Sequence, residues 1–216
     1  MAIKFYYGSG SPYAWRVWLA LEHKALPYEL KVLSFSAGDL RKPEFLALNP
    51  RHKVPVIVDD GFVLYESAAI LEYLEDAYPD AGGRLFPGEV QARARTRRLI
   101  READEYLARA LEAMLDEILV KPAAEWDSAA IAKARDGFAA ELVYFDCELG
   151  GDFLDGEISA ADFTLYPLIA LALRMELKKK DLGLRAAIGP GLSAWMARME
   201  ALPYYPKTIP PHWQRT

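Results

Sequence analysis

The chain opens on alternation. In IKFYY, residues 3–7, Ile3, Phe5 and Tyr7 share one face, and the period of two predicts a strand. From Pro12 to Lys24 the period lengthens to that of a helix, with Tyr13, Val17, Ala20 and Leu21 on one side. Tyr28 to Leu33 is strand-like again, and Asp39 to Leu48 predicts a short helix closed by Asn49-Pro50. The run VPVIV, 54–58, predicts an apolar strand, and Asp59-Asp60-Gly61 turns the chain into a second one, FVLY, 62–65. Between Glu66 and Tyr78, Ile70, Leu71, Leu74, Ala77 and Tyr78 recur at helical spacing until Pro79 stops the pattern.

A βαβα run followed by ββα predicts a mixed sheet with helices on its faces and a right-handed βαβ crossover. Past residue 79 the pattern changes. PDAGGRLFPGE, 79–89, is rich in Gly and Pro and reads as a linker, set at 81–89 between a first domain over 1–80 and a second over 90–216. The second half predicts no strand: helical patterns cover 90–120, 128–149, 159–179 and, more briefly, 191–202. The 159–179 pattern is apolar nearly all round, which makes it the buried centre of its domain. Ser159 and Asp162 open it as a structural cap, the hydroxyl taking a backbone N–H and the acid reaching back as Glu does in a capping box. Lys178, Lys179 and Lys180 close it, where the helix dipole favours cations.

Composition narrows the partners. The 216 residues are 52% apolar and 26% charged, which is ordinary for a globular protein with a sizeable core. A net charge of −5 argues against nucleic acid or an anionic membrane as the main partner. MAIKFYYG lacks the basic head and long apolar run of a secretory signal, and the most apolar segment, Phe163 to Leu173, is too short to span a bilayer. Cys147 is the single cysteine; it excludes an intrachain disulfide, fits a cytoplasmic location and, within a helical pattern, is expected to be buried. The arginines at 93, 95, 97, 98 and 101 are interspersed with acids and read as a solvated helix face or dimer rim. His23, His52 and His212 lie far apart, no pair has metal-ligand spacing, and no metal is expected. GGDFLDG, 150–156, lacks the Gly-Lys-Ser/Thr of a phosphate loop. Trp15, Trp18, Tyr106, Met114 and Tyr166 read first as core and second as the lining of an apolar pocket.

Four stretches in this order, SPYAWRV (11–17), NPRHKVPVI (49–57), YESAAILEYL (65–74) and ISAADFTLYP (158–167), resemble the glutathione transferase family. The resemblance covers essentially the whole chain. It implies a thioredoxin-like α/β N-terminal domain that binds glutathione as co-substrate, an all-α C-terminal helical bundle that shapes the second substrate's site, and a homodimer.

Glutathione carries two carboxylates, an amine and a thiol, and each needs a partner. A free thiol, with a pKa of about 8.5, is mostly protonated at neutral pH. A helix N-terminus and a hydroxyl donor both favour its anion. Ser11, directly before Pro12 at a helix start, is the candidate donor; a serine there also serves as a plain N-cap. Its rivals are Ser9 and, because some branches of the family use a tyrosine from the end of the first strand, Tyr6 or Tyr7. In glutaredoxin-like relatives the same turn carries cysteine. With Ser11 and Ala14 here, disulfide exchange has no nucleophile, and the thiol must come with the ligand.

For the rest of glutathione, the resemblance implies a cis Val54-Pro55 bond that turns the Val54 backbone toward the cysteinyl residue. It places Ser67 and the adjoining backbone N–H groups on the γ-glutamyl carboxylate, Glu66 on the amine, and Lys53 with His52 facing the glycyl carboxylate. Asp104 is expected to reach the partner subunit's ligand. The leading function is addition of the glutathione thiolate to an apolar small-molecule electrophile. A glutathione-dependent isomerase or ether-cleaving lyase uses the same residues. A non-catalytic interaction module is the third reading, and the set Ser11, Lys53, Val54, Pro55, Glu66 and Ser67 argues against it, since assembly needs no amine or carboxylate acceptor.

Overall fold

The structure, a computed structural model, describes residues 2–213 and divides into two units, Met1–Phe86 with Leu202–Thr216, and Pro87–Ala201. In the first unit, β1 (Ile3–Gly8) leads through α1 (Pro12–His23) to β2 (Tyr28–Leu33), followed by the one-turn α2 (Pro43–Leu46), the hairpin of β3 (Val56–Asp59) and β4 (Phe62–Tyr65), and α3 (Ser67–Ala77). The sheet order is β2-β1-β3-β4, with β1 parallel to β2 and antiparallel to β3. A parallel pair needs a crossover, and α1 supplies it. Ile3, Phe5 and Tyr7 are all buried, as the alternation predicts. This is the thioredoxin-like mixed sheet that the sequence implies.

Two elements start later or end sooner than their patterns suggest, both because of proline. The helix expected over 39–48 is a 3-10 turn at Asp39–Arg41 and then α2, because Pro43 holds Lys42 in the extended region at ψ 143°. The strand expected from Val54 begins at Val56: Pro55 has no N–H for the ladder, and the Val54-Pro55 bond is cis.

Behind the sheet, a buried ion pair joins three segments. Lys24, at the C-terminal end of α1, is fully buried with its Nζ 3.0 Å from Oε2 of Glu75 on α3. Glu75 also accepts the backbone N–H groups of Leu85 (2.9 Å) and Phe86 (3.4 Å), so the stretch expected as a linker is in fact stitched to the helices up to Phe86. Burial pushes the Glu75 carboxyl up, but Leu85 N–H, the Lys24 ammonium and Phe86 N–H pull it down and together prevail, leaving it below its ordinary value of 4.5.

The second unit is all helical: α4 (Val90–Glu102), α5 (Ala108–Leu115), α6 (Ser128–Cys147), α7 (Ala160–Met175), the short α8 (Leu184–Ala187), and α9 (Pro190–Glu200). The long 90–120 pattern is one helical run broken by two π turns, Ala103–Leu107 and Asp116–Val120. α7 is buried along most of its length and is the unit's centre. At its start the Ser159 hydroxyl accepts the Ala161 N–H at 3.3 Å. The buried Asp162 carboxylate accepts from Ser159 N–H (2.8 Å), Ser159 Oγ–H (3.0 Å), Leu154 N–H (3.0 Å) and the Trp195 indole N–H (2.8 Å). Cys147 is exposed, contrary to its pattern: it is the last residue of α6, beyond the buried stripe that ends at Phe145. Trp15, Trp18, Met114 and Tyr166 are core residues of their units, and Tyr106 is exposed. Among the described residues no helix is long and apolar enough to cross a membrane.

The chain then returns to the first unit. Residues 202–213, including the one-turn α10 (Tyr205–Thr208), form a strap along α1. The Trp15 indole N–H donates to Thr208 Oγ1 at 3.1 Å, Tyr204 and His23 share a hydrogen bond of 2.9 Å, and Lys207 pairs with Glu22. Trp213 stands edge-on to Trp15 with ring centres 5.2 Å apart. The sequence groups these residues with the helical half because they carry no periodicity of their own.

Removing one member of a buried pair leaves the other charge uncompensated, which costs about 3–5 kcal/mol. Glu75→Gln is expected to lose most of that in urea unfolding, whereas the double variant Lys24→Met with Glu75→Gln, which removes the stranded ammonium and keeps an amide oxygen for the Leu85 N–H, recovers much of it. Because the folded carboxyl lies below its ordinary value of 4.5, its contribution is present above that pH and is lost as the pH falls through the folded value. The Glu75→Gln variant should therefore show a shallower loss of stability as the pH falls below about 4.5.

Candidate functional site

Strand register brings one set of residues together. Tyr6 lies opposite Val56, Val56 opposite Tyr65, and Gly8 alongside Leu33. The C-terminal ends of β1, β2 and β4 and the start of β3 therefore share one end of the sheet. From that end the chain runs into Ser9–Ser11, Ser34–Phe35 and Glu66–Ser67, and Val54-Pro55 arrives there. Gly8 lets the chains close up: a Cβ at Gly8 would stand 2.5 Å from the Phe35 ring and 2.9 Å from Val54 Cγ2. Both α1 and α3 begin at this end, so two sets of free backbone N–H groups and two positive helix termini converge there. That is a setting for anions.

Ser11 is half-buried at the N-cap of α1, and its Oγ accepts the Ala14 N–H at 3.2 Å. The bond uses a lone pair; the hydroxyl hydrogen is still free to be donated elsewhere. The three rivals sit differently. Ser9 Oγ lies 2.6 Å from His212 Nδ1. Tyr7 is buried in the core with its ring 4.8 Å from Trp18, and burial pushes its phenol up to about 12. Its hydroxyl accepts the Gly10 N–H at 3.4 Å. Tyr6, on the opposite face of β1, packs against Phe45 at 6.1 Å.

At the start of α3, Glu66 occupies the N-cap position at φ 72°, ψ 106°, a conformation costly for a non-glycine residue. Its side chain makes no capping hydrogen bond. The carboxylate is exposed, with no ion-pair partner among the described residues, while Ser67 behind it is buried. A cap explains neither the strain nor the exposed acid.

His52 and Lys53 lie on the turn before the cis bond. Buried Asn49 builds that turn, its Nδ2 donating to the Lys53 carbonyl at 2.7 Å and its Oδ1 accepting the Arg51 N–H at 2.9 Å. The Lys53 side chain is exposed and pairs with no acid among the described residues. His52, with Phe35, Ser36, Gly38, Leu40 and Arg41, lines an open cleft of about 800 Å³. No sequence pattern marks Arg41 as a cleft residue; it falls on the 3-10 turn before Pro43. Asp104 belongs to the second unit, half-buried on the first π turn. No group of three or more His, Cys, Asp or Glu among the described residues is arranged to hold a metal ion.

Comparison with known proteins returns one family. Residues 10–77 match the family description "Glutathione S-transferase, N-terminal domain". The chain is 31% identical to glutathione S-transferase A of Pleuronectes platessa over 215 residues, covering 96% of this chain and 91% of that one. It is 37% identical to glutathione S-transferase hmp2 of Hypomyces subiculosus over 77% of its own length and 81% of the relative's. Among solved structures, a glutathione S-transferase from the Antarctic clam Laternula elliptica superposes with a TM-score of 0.84 at 30% identity, covering all of this chain and 95% of that one.

The cap geometry yields a stability series at Ser11. Ser11→Ala removes the acceptor for Ala14 N–H and is expected to cost about 1 kcal/mol, while Ser11→Gly costs only a few tenths, read as urea midpoints at constant m-value.

Proposed function

The chain belongs to the glutathione S-transferase family, and from that premise we propose that Ser11 holds the sulfur of bound glutathione as its anion. The enzyme is a transferase with glutathione as co-substrate. The observation that carries the Ser11 reading is its hydrogen-bond inventory. Its oxygen takes one N–H from the helix it caps, and its own hydrogen remains to be given to a sulfur lying at the positive end of α1. A serine hydroxyl ionises too weakly to take the thiol proton; it stabilises the anion that forms. The thiol proton is lost to solvent, and the sulfur lone pair then makes the new C–S bond as the electrophile's leaving group departs with its bonding pair or, in an addition, as its π pair shifts and takes up a proton. Ser9, already bonded to His212, and Tyr7, buried against Trp18, are less well placed to serve.

The remaining assignments follow the charges on glutathione. Glu66 takes the γ-glutamyl amine, and Ser67 with the free N–H groups of α3 takes the neighbouring carboxylate. The Val54 backbone meets the cysteinyl residue, and Lys53, His52 and Arg41 face the glycyl carboxylate across the cleft. An apolar small electrophile, a homodimer and a cytoplasmic location complete the proposal. The first two come from the family resemblance, and the last is supported by a chain with a single cysteine.

The protein should be retained on immobilised glutathione and turn over a generic aryl halide. Ser11→Ala and Ser11→Gly should both lower kcat at least ten-fold and raise the pKa of the bound thiol while leaving the KM for glutathione nearly unchanged. The loss is expected to be smaller than the 10²–10³ typical of a lone oxyanion donor, because the helix terminus remains. Equal loss in the two variants separates the chemistry from the cap, which glycine largely preserves. Unchanged turnover would transfer the role to Ser9 or a tyrosine. Activity on maleyl compounds or aryl ethers, but not on the aryl halide, would favour the isomerase or lyase reading.

A further inference from the structure

The strap and the turn ahead of α1 meet at a hydrogen bond for which the chemistry above has no use, between Ser9 Oγ and His212 Nδ1 at 2.6 Å. The contact is close on both sides. Gly10 sits at φ 90°, and a Cβ there would stand 2.9 Å from His212 Cε1, so the imidazole lies directly against the turn. From within, the turn is held by Ser11 N–H donating to the Gly8 carbonyl at 3.0 Å and by Gly10 N–H donating to the Tyr7 hydroxyl. His212 meets the same turn from outside, through Ser9. The strap that delivers His212 is itself fixed along α1, by Thr208 on Trp15, Lys207 on Glu22, Tyr204 on His23 and Trp213 on the Trp15 ring.

We propose that His212 is a positioning residue for glutathione activation: through Nδ1 it fixes Ser9, and with it the Gly8–Ser11 turn, so that the Ser11 hydroxyl stays aimed at the sulfur. The proposal rests on the reading of Ser11 as the sulfur's donor. Its physical basis is the steepness of hydrogen bonding with distance and angle, together with the freedom of a glycine at positive φ, which leaves the turn soft unless something outside holds it. Misplacement of a reacting group by an ångström is enough to cost a large part of a rate. The same bond explains why Ser9, though one turn from Ser11, is not the donor: its hydroxyl is already shared with the imidazole.

The test uses the whole chain and five variants. His212→Ala should lower kcat about five- to ten-fold, the worth of one ordinary hydrogen bond, and raise the bound thiol's pKa, with the KM for glutathione unchanged. His212→Asn, whose side-chain amide ends where Nδ1 does, should restore both. His212→Gln, whose amide reaches only to the place of Nε2, should not. Ser9→Ala should match His212→Ala, and the Ser9→Ala, His212→Ala double variant should be no worse than either alone. Wild-type kcat and thiol pKa in His212→Ala would overturn the inference. So would rescue by Gln as good as that by Asn, multiplicative losses in the double variant, or a loss in Ser9→Ala far larger than in His212→Ala. A wild-type protein that neither binds immobilised glutathione nor turns over any electrophile would remove the reading beneath the inference as well, and that result is visible before any variant is compared.

Discussion

The direction of the strands decides what this molecule can hold. β1 runs parallel to β2 and antiparallel to β3, and β3 folds back on β4, so three strands finish and one begins at the same end of the sheet. Helices that follow β1 and β4 must start there, with their N–H groups pointing outward over the end of the sheet. Reversing β3 and β4 would send α3 to the other end and leave a single helix terminus. The antiparallel turn of the hairpin, with Asp60 and Gly61 both at positive φ, therefore matters to the site although it lies at the far end of the sheet.

Around that end, some groups are satisfied and others are left open, and the division is informative. Asn49 completes its bonds inside its own turn. Glu66, by contrast, is held in a costly backbone conformation with its carboxylate exposed and no ion-pair partner among the described residues, and Lys53 extends without an acid beside it. A polar residue that forgoes local bonds at a strained position is available for something the chain itself does not supply. The same division holds at α1, where the Ser11 hydroxyl accepts the Ala14 N–H and its own hydrogen has no acceptor among the described residues.

Much of this was legible in the sequence because it depends on short-range rules. Alternation in IKFYY, the Asp-Gly turn before FVLY and the Ser-x-x-Asp start of α7 each specify a local geometry that the structure adopts. What escaped depended on proline or on distance. Pro43 divides what reads as one helix, and Pro55 delays β3 by two residues, effects that a hydrophobic period does not register. The π turns within the 90–120 run leave the apolar spacing almost intact and so are invisible to it. Cys147 falls on a helical pattern but at its last residue, where the buried stripe has already ended. Arg41 and His212 carry no local signal; each meets its neighbours only in the fold, Arg41 lining a cleft with His52 and His212 bonding Ser9.

The first unit is discontinuous, closed by residues 202–213, which lie along α1. On the ribosome its sheet and helices emerge at the outset, yet the indole of Trp15 must wait for the whole helical unit to be synthesised before Thr208 and Trp213 arrive to cover it. At about 5–20 residues per second, that interval is on the order of ten seconds or more. During it the half-finished sheet unit is the species that a chaperone would meet, while the later-made helical unit can complete itself within its own stretch of chain. A frameshift or stop codon just beyond Ala201 would leave the helical unit entire and strike the sheet unit made before it.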